Sequence, residues 1–265
     1  MKPKRFCPPQ IAISERVERL LADCGIHTPP VNLYRIAKQQ RICRIRELDT
    51  QLDGQLLELD TGEYEVVLSR NAPSSRKRFT LAHEIAHVLL ASEKGAEGLV
   101  CGEGSLEDLC NAIASEILMP RKFLQKTVTT DVTVETLLEV AKLFGCSLEA
   151  AGRKLLNEGF VRGAFLIWSC KKLGDEQVLE LMAGPQTFGF KMPFKRGKVL
   201  YPNDSLWQAC TGEESGQVNF ATRPELRGEF IRLNRTVLML FSVAGNGHST
   251  GIFSTAGPRQ GRLGF

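Results

Sequence analysis

The chain has 265 residues, 43% of them hydrophobic and 24% charged, and a formal net charge of +4 at pH 7. These values are typical of a globular protein with a sizeable core and more than one domain, and the scattered lysines and arginines do not by themselves predict a nucleic-acid surface. No stretch approaches the ~18 apolar residues of a membrane span, and no apolar segment follows the basic start of the chain, so we expect a cytoplasmic protein without a membrane partner.

The N-terminal part predicts helices followed by a small sheet. Residues 10–40 have the pattern of two helices, broken at residues 28–30, which read Thr-Pro-Pro. Residues 55–59 and 64–69 are strand candidates, joined by a turn sequence that contains glycine. We therefore expect an α+β fold for residues 1–120, the first of three predicted domains.

His83, Glu84 and His87 form an HExxH motif. On a helix, residues four apart share a face, so both imidazoles can reach one metal ion, and Glu84 lies close enough to take a proton from a water molecule that the metal activates. The flanking residues make this helix apolar almost all round, which indicates a buried element in which these polar groups need partners. The motif predicts His83 and His87 as metal ligands and Glu84 as a catalytic base, the alternative being satisfied polar residues on a structural helix.

A catalytic zinc takes three protein ligands, so a third ligand should follow downstream. Residues 105–120 predict a second helix, which begins at a serine cap and ends at a proline. Glu107 shares a face with Asn111 and Ala114, which are small or polar groups suited to a site, whereas Glu116 lies on the opposite face and is expected to be solvated. We therefore choose Glu107 as the third ligand.

Three other residues compete for that role. Glu103 lies between two glycines, and Cys101 and Cys110 offer thiolates. A cysteine ligand would make a softer and more structural site. The eight cysteines of the chain are dispersed without a CxxC pair, which favours reduced thiols that mostly fill the core.

Residues 133–157 have the spacing of a helix-turn-helix. Thr133 can cap a first helix, Gly145 suits the left-handed position after it, and Ser147 can cap a second helix that ends near residue 156. The second helix offers only Arg153 and Lys154 to a base or phosphate, with Glu149 opposing them. We therefore expect residues 121–158 to be a packing module and do not expect DNA as a partner.

From about residue 159 the pattern changes to short alternating runs, which predict a third domain at residues 159–265 with an antiparallel sheet. Trp168, Trp207 and His248 could line a pocket for a small-molecule ligand, although buried aromatics are more often core and a lone histidine among glycines is more often a turn residue. Residues from Gly257 onward are expected to be a frayed tail. The predicted strands are residues 164–168, 177–181, 237–243 and 251–253, with a short helix at 204–210.

The sequence resembles the ImmA/IrrE family of zinc metallopeptidases. The likeness is carried by residues 76–87, 107–111 and 117–120, and it extends over roughly residues 10–157. The pair Cys110-Asn111 is more similar to the IrrE branch, which comprises regulators of the radiation and stress response. The resemblance implies an α+β fold with a zincin-like helical peptidase domain and small sheet, then a helix-turn-helix module and a C-terminal α+β GAF-like domain.

For function, the resemblance implies a zinc endopeptidase that cuts a helix-turn-helix transcriptional repressor and so derepresses stress-response genes. His83, His87 and Glu107 would hold Zn²⁺, with Mn²⁺ as an alternative because two imidazoles and a carboxylate accept several metals. By comparison with HExxH peptidases in general, Tyr64 or Arg78 is the candidate for oxyanion stabilisation. Residues 65–68 are the candidate edge strand for an extended substrate, the equal alternative being a purely structural strand. The rival hypotheses are a DNA-binding regulator that uses residues 133–157 and a ligand-sensing regulator that uses the third domain.

Overall fold

The structure is a computed structural model that describes residues 10–92, 105–129, 131–187, 189–190, 194–220, 226–243 and 261–263. The chain is α+β, with two sheets, as expected. It divides into two compact units, the first comprising residues 1–129 and 140–147 and the second residues 130–139 and 148–265. Within the described ranges, no helix combines the length and the apolar character needed to cross a membrane.

The first unit contains the predicted N-terminal helices, a three-stranded sheet and the two helices of the candidate site. Helix α3 is largely buried from Thr80 to Leu90, where small and branched apolar residues such as Ala82, Ile85 and Ala86 are 0% exposed. Within this stretch only His83 and His87 remain partly accessible. The elements in chain order are α1 (Gln10–Asp23), α2 (Leu33–Gln39), β1 (Ile42–Leu48), β2 (Gly54–Glu58), β3 (Tyr64–Ser69), α3 (Ser74–Ser92), α4 (Ser105–Leu118) and α5 (Arg121–Thr127).

Strand β3 is the central strand of the small sheet, because the strand order is β1-β3-β2. It pairs with β1 in parallel and with β2 in antiparallel fashion. The prediction that residues 65–68 form an open edge is therefore wrong. The near-continuous burial of β3 is typical of a strand whose two faces are both covered, and the edges of this sheet are β1 and β2.

The hydrogen bonds at the ends of β3 fix which backbone groups face each neighbour. The N–H of Ser69 donates to the Asp53 carbonyl at 3.1 Å, on the β2 side, whereas the N–H groups of Tyr64 and Arg70 donate to carbonyls on the β1 side at 2.9 and 2.8 Å. Odd-numbered residues of β3 therefore pair with β2 and even-numbered ones with β1. By the register of each pair, the backbone groups of Gly54 and Leu56 in β2, and of Ile45 in β1, point away from the sheet.

The second unit is built on a seven-stranded sheet of order β10-β7-β8-β9-β4-β5-β6. Its core contains Trp168, Leu179, Met239 and Phe241, all 0% exposed. The pairs are antiparallel except for β10 with β7. The elements are β4 (Gly163–Leu173), β5 (Glu176–Ala183), β6 (Val199–Leu200), α8 (Ser205–Thr211), β7 (Ser215–Phe220), β8 (Leu226–Leu233), β9 (Thr236–Val243) and β10 (Gly261–Leu263).

Three strands and the short helix of this unit were predicted, but β6, β7, β8 and β10 were not. The predicted strand at residues 251–253 and His248 lie outside the described residues. The expectation of a frayed tail from Gly257 is wrong for residues 261–263, which pair with Val218, Asn219 and Phe220 of β7. This strand is formed by backbone pairing with β7, and its sequence has no apolar pattern that would predict it.

The two helices predicted within residues 133–157 are present. Helix α6 (Val134–Phe144) ends at Gly145, which has a φ of 63°, and helix α7 (Leu148–Asn157) follows. The two helices do not form a compact unit of their own. Residues 130–139 and those from Leu148 onward belong to the second unit, whereas residues 140–147 belong to the first. In the second unit α7 packs on β4, where a Cβ on Gly152 would lie 3.1–3.3 Å from the Phe165 ring.

The two basic residues of α7 each form an ion pair with a glutamate four residues away in the sequence. Lys154 is 4% exposed and forms an ion pair with Glu158 at 2.8 Å, while the exposed Arg153 pairs with Glu149 at 2.9 Å. Lys154 is thus turned inward and is not presented to a phosphate. The arrangement favours the packing role expected for this segment.

Candidate metal centre

His83 and His87 project from the same face of α3, one turn apart. Their Nε2 atoms are 3.0 Å apart and their rings meet edge to face, with centroids separated by 4.8 Å. Both side chains are partly accessible, at 16% and 24% exposure, although the rest of the helix between Thr80 and Leu90 is buried. The two imidazoles therefore open toward one shared point at the surface of the unit.

Glu107, from the first turn of α4, completes this cluster. Its carboxylate oxygens lie 3.1 Å from Nε2 of His83 and 3.4 Å from Nε2 of His87. The edge of a tetrahedron around zinc with bonds of about 2.0–2.1 Å is ~3.3 Å. The three side chains therefore have the mutual spacing that a single tetrahedral ion requires, and they could hold a metal.

The protonation state of His87 suits metal binding. Burial lowers the pKa of His87, and the neighbouring His83 lowers it further, with Glu107 opposing the shift. A neutral imidazole is the form that ligates a metal. Nδ1 of His83 is buried and makes no hydrogen bond among the described residues, so its ring is positioned by packing and by the groups around Nε2.

Glu84 follows His83 directly in the chain and is 8% exposed. Burial raises its pKa from 4.5 to about 7, and the charge of Glu107 adds to the shift. A divalent cation nearby would favour the ionised carboxylate. The group can therefore both accept and return a proton near neutral pH.

Strand β2 reaches this carboxylate through Gly54. A Cβ on Gly54 would lie 3.4 Å from Oε1 of Glu84 and would overlap Cγ2 of Thr80, which is 5% exposed. Only glycine permits this approach. Neither Gly54 nor Thr80 was singled out in the sequence, and the signal that could have found Gly54 is a glycine inside a strand pattern, which often marks a close backbone approach.

The competing ligands fare differently. Cys110 is not part of the cluster and is 0% exposed; burial, with the charges of Glu107 and Glu84, raises the pKa of its thiol to about 12. Glu103 and Cys101 lie outside the described residues. The prediction that Glu116 is solvated is wrong: it is 0% exposed, and its Oε1 accepts a hydrogen bond from the Arg121 N–H at 2.9 Å, at the start of α5.

Neither residue suggested for oxyanion stabilisation is brought to the cluster. The Arg78 guanidinium donates to the carbonyls of Val31 at 3.1 Å and Phe144 at 3.4 Å, and so links the segment before α2 to the end of α6. Tyr64 begins β3, four residues from Leu68, the partner of Gly54. At about 3.4 Å per residue it stands ~13 Å from the end of the strand that approaches Glu84.

The tryptophans that were proposed to line a ligand pocket, Trp168 and Trp207, lie in or against the core of the second unit. Trp168 is 0% exposed in the core of the second unit and meets Phe194 edge to face, with centroids 5.6 Å apart. Trp207 packs partly against the same core. A ligand role for either residue remains a prediction.

Residues 39–156 match the model of the IrrE N-terminal-like domain, the Peptidase_M78 family. Together with the helix that carries the histidines and the adjoining sheet, this match defines a domain of the metallopeptidase class. Over that segment, which is just under half of the chain, the sequence is similar to the ImmA/IrrE family.

The fold is also similar to a solved structure described as a Mycobacterium tuberculosis transcriptional regulator. The TM-score is 0.54, with 14% sequence identity, over 88% of this chain and 76% of that chain. At this identity the likeness concerns the fold alone. No curated protein matches the sequence.

Proposed function

We propose that this protein is a zinc-dependent endopeptidase that cuts a protein substrate at one site. The observation that supports the proposal is the meeting of His83, His87 and Glu107 at tetrahedral spacing, next to a buried glutamate and an open strand edge. Zinc suits two imidazoles and a carboxylate, and manganese is the alternative. A divalent ion there would polarise a peptide carbonyl and bring the pKa of water close to neutrality.

Glu84 is the general base in this proposal. It accepts the proton of the water molecule whose oxygen attacks the carbonyl carbon, and it returns that proton to the nitrogen that leaves as the C–N bond breaks. Its burial keeps bulk water away from the carboxylate, and its place beside His83 in the chain holds it near the reacting atoms. The packing of Gly54 and Thr80 restricts where this side chain can move.

The outer edge of β2 is the binding site that we assign to the scissile segment. The N–H and C=O groups of Gly54 and Leu56 point outward there, and no described strand covers them. An extended peptide can pair with these groups as a fourth strand. Because Gly54 borders Glu84, such pairing leads the peptide directly to the proposed base.

The proposed substrate is a helix-turn-helix transcriptional repressor whose cleavage derepresses stress-response genes. This assignment rests on the ImmA/IrrE family. The second unit, with its large antiparallel sheet, would then regulate cleavage, in the manner of a GAF-like sensor for a small molecule. The inward-turned Lys154 and the paired Arg153 argue against direct DNA reading by α7.

Cleavage of purified helix-turn-helix repressors from the same organism, followed by electrophoresis and mass spectrometry, tests the proposal. Glu84→Gln should retain bound zinc, measured by elemental analysis, and lose cleavage. Leu56→Pro should also retain zinc and lose cleavage, because proline removes an outward N–H from an edge strand without breaking the sheet. Asp108→Asn, an exposed neighbour of Glu107, is the control and should cut normally. Unchanged cleavage by Glu84→Gln would exclude the proposed base.

A further inference from the structure

A groove lies between α2 and β1, at the edge of the small sheet that the proposed peptidase site does not use. Its volume is about 560 Å³, within the range of ~300–1,000 Å³ that is usual for binding clefts. We call it the α2–β1 groove. The residues that matter for its chemistry are Tyr34, Lys38, Arg41, Arg44, Ile45 and Glu63.

The floor of the groove is an open strand edge. Arg70 N–H donates to the Leu48 carbonyl at 2.8 Å, so Leu48 and alternate residues before it direct their backbone groups toward β3. Ile45 therefore directs its N–H and C=O away from the sheet. Within the part of the chain that the structure describes, no strand pairs with this side of β1.

The walls of the groove are cationic. Lys38, Arg41 and Arg44 face one acid, Glu63. Lys38 and Arg41 form no ion pair with any described residue, and Arg44, 64% exposed, shares Glu65 with Arg46. This surplus of positive charge is complementary to a ligand that carries several carboxylates.

One further feature favours a binding role over a merely solvated edge. Tyr34 presents an aromatic ring that is 62% exposed at the mouth of the groove. Exposed tyrosine and arginine are enriched where proteins bind one another.

We propose that the α2–β1 groove docks an extended, acidic segment of a partner protein, which adds to β1 as an outer strand. Main-chain hydrogen bonds to Ile45 give such a segment its register, and the three cations select for acidic side chains. A nucleic acid could use the charges, but it would leave the backbone groups of Ile45 unused. The proposal goes beyond the proposed peptidase function, since it requires no cleavage.

Fluorescence anisotropy with the full chain tests the proposal. The probe is a labelled peptide of about nine alternating glutamate and valine residues, long enough to span β1. We expect saturable binding that weakens at least about tenfold when Lys38→Glu and Arg41→Glu are combined, because close charge pairs set much of the discrimination. Lys122→Glu, an exposed lysine of the same unit on α5, is the matched control and should bind the peptide as the unaltered chain does.

The backbone contribution is tested separately. Ile45→Pro removes an outward N–H and should weaken binding of the same probe by a similar factor. A probe N-methylated at alternate residues should also bind poorly, and this measurement stands even if the proline variant does not fold. The proposal is overturned if a lysine–valine peptide binds as tightly, if the double variant leaves binding unchanged, or if labelled duplex DNA binds through Lys38 and Arg41 while the acidic peptide does not.

Discussion

Gly54 of β2 packs directly against Thr80 of α3, and a Cβ on residue 54 would overlap the threonine Cγ2. The contact holds the open edge of the sheet beside Glu84, whose Oε1 is 3.4 Å from the same Cβ position. Because residue 54 has no side chain, an extended peptide that pairs with β2 can come close to Glu84, the proposed base. The packing also leaves little room for adjustment, because Thr80 is itself buried.

Gly54→Ala should therefore destabilise the protein by about 1–3 kcal/mol, the usual cost of overpacking, and should reduce peptide cleavage further than stability explains. Thermal denaturation and cleavage measured on the same sample separate the two effects. Gln55→Ala, at the exposed neighbouring position, is the control. A Gly54→Ala variant with normal stability and normal cleavage would show that the approach of β2 to α3 is unimportant.

Metal content tests the ligand cluster. His83→Ala, His87→Ala and Glu107→Gln should each lose metal from the purified protein, with an affinity loss of at least about tenfold, because two remaining ligands hold zinc poorly. Elemental analysis after dialysis gives the measurement. Asp108→Asn should keep its metal, and a Glu107→Gln variant that keeps a full equivalent would remove Glu107 from the ligand set.

The second unit should lose stability as pH rises. Val134 N–H donates to Glu229 at 2.6 Å, and burial raises the pKa of this carboxyl from 4.5 to about 7, opposed by that hydrogen bond and assisted by Glu135. Between pH 4.5 and about pH 7, Glu229 keeps a proton in the folded chain that it has already released in the unfolded chain. The free energy of unfolding therefore decreases across this interval and levels off above it.

Glu229→Gln should remove this pH dependence, since the amide oxygen still accepts from Val134 but does not ionise. Relative to the unaltered protein, we expect the variant to gain on the order of 1–2 kcal/mol between pH 4 and pH 8, after allowance for partial solvent screening. Denaturant unfolding at several pH values measures the difference. Glu139→Gln, on an exposed part of α6, should leave the pH profile as it was; parallel profiles for all three proteins would contradict the assignment.

The two ion pairs of α7 should contribute different amounts to the free energy of unfolding. Lys154→Met removes a buried cation that lies 2.8 Å from the Glu158 carboxylate and should cost about 3–5 kcal/mol. Arg153→Met breaks an exposed pair and should cost less than about 1 kcal/mol. Urea unfolding compares the two variants. Equal costs would mean that Lys154 is not buried as described.

The sequence predicted the elements whose signals are local. The HExxH motif and its apolar flanking residues predicted α3. The serine at the start and the proline after the end of α4 predicted its bounds, and Gly145 predicted the break between α6 and α7. Strand β1 escaped prediction because its charged side chains alternate at an exposed edge. The position of Glu116 depends on a backbone N–H of the following helix, which no local pattern reveals. The centrality of β3 likewise depends on strand order, which the pattern of one strand does not contain.

The open edge of β2 has a further consequence for the choice of substrate. Its outward groups at Gly54 and Leu56 can be satisfied only by a chain whose own amides and carbonyls are unoccupied. A helix or a strand inside a folded partner fails this requirement, whatever its residues. Such a peptidase would recognise conformation before sequence, so an unravelled linker in the target would be cut while the same residues in a folded state would be spared.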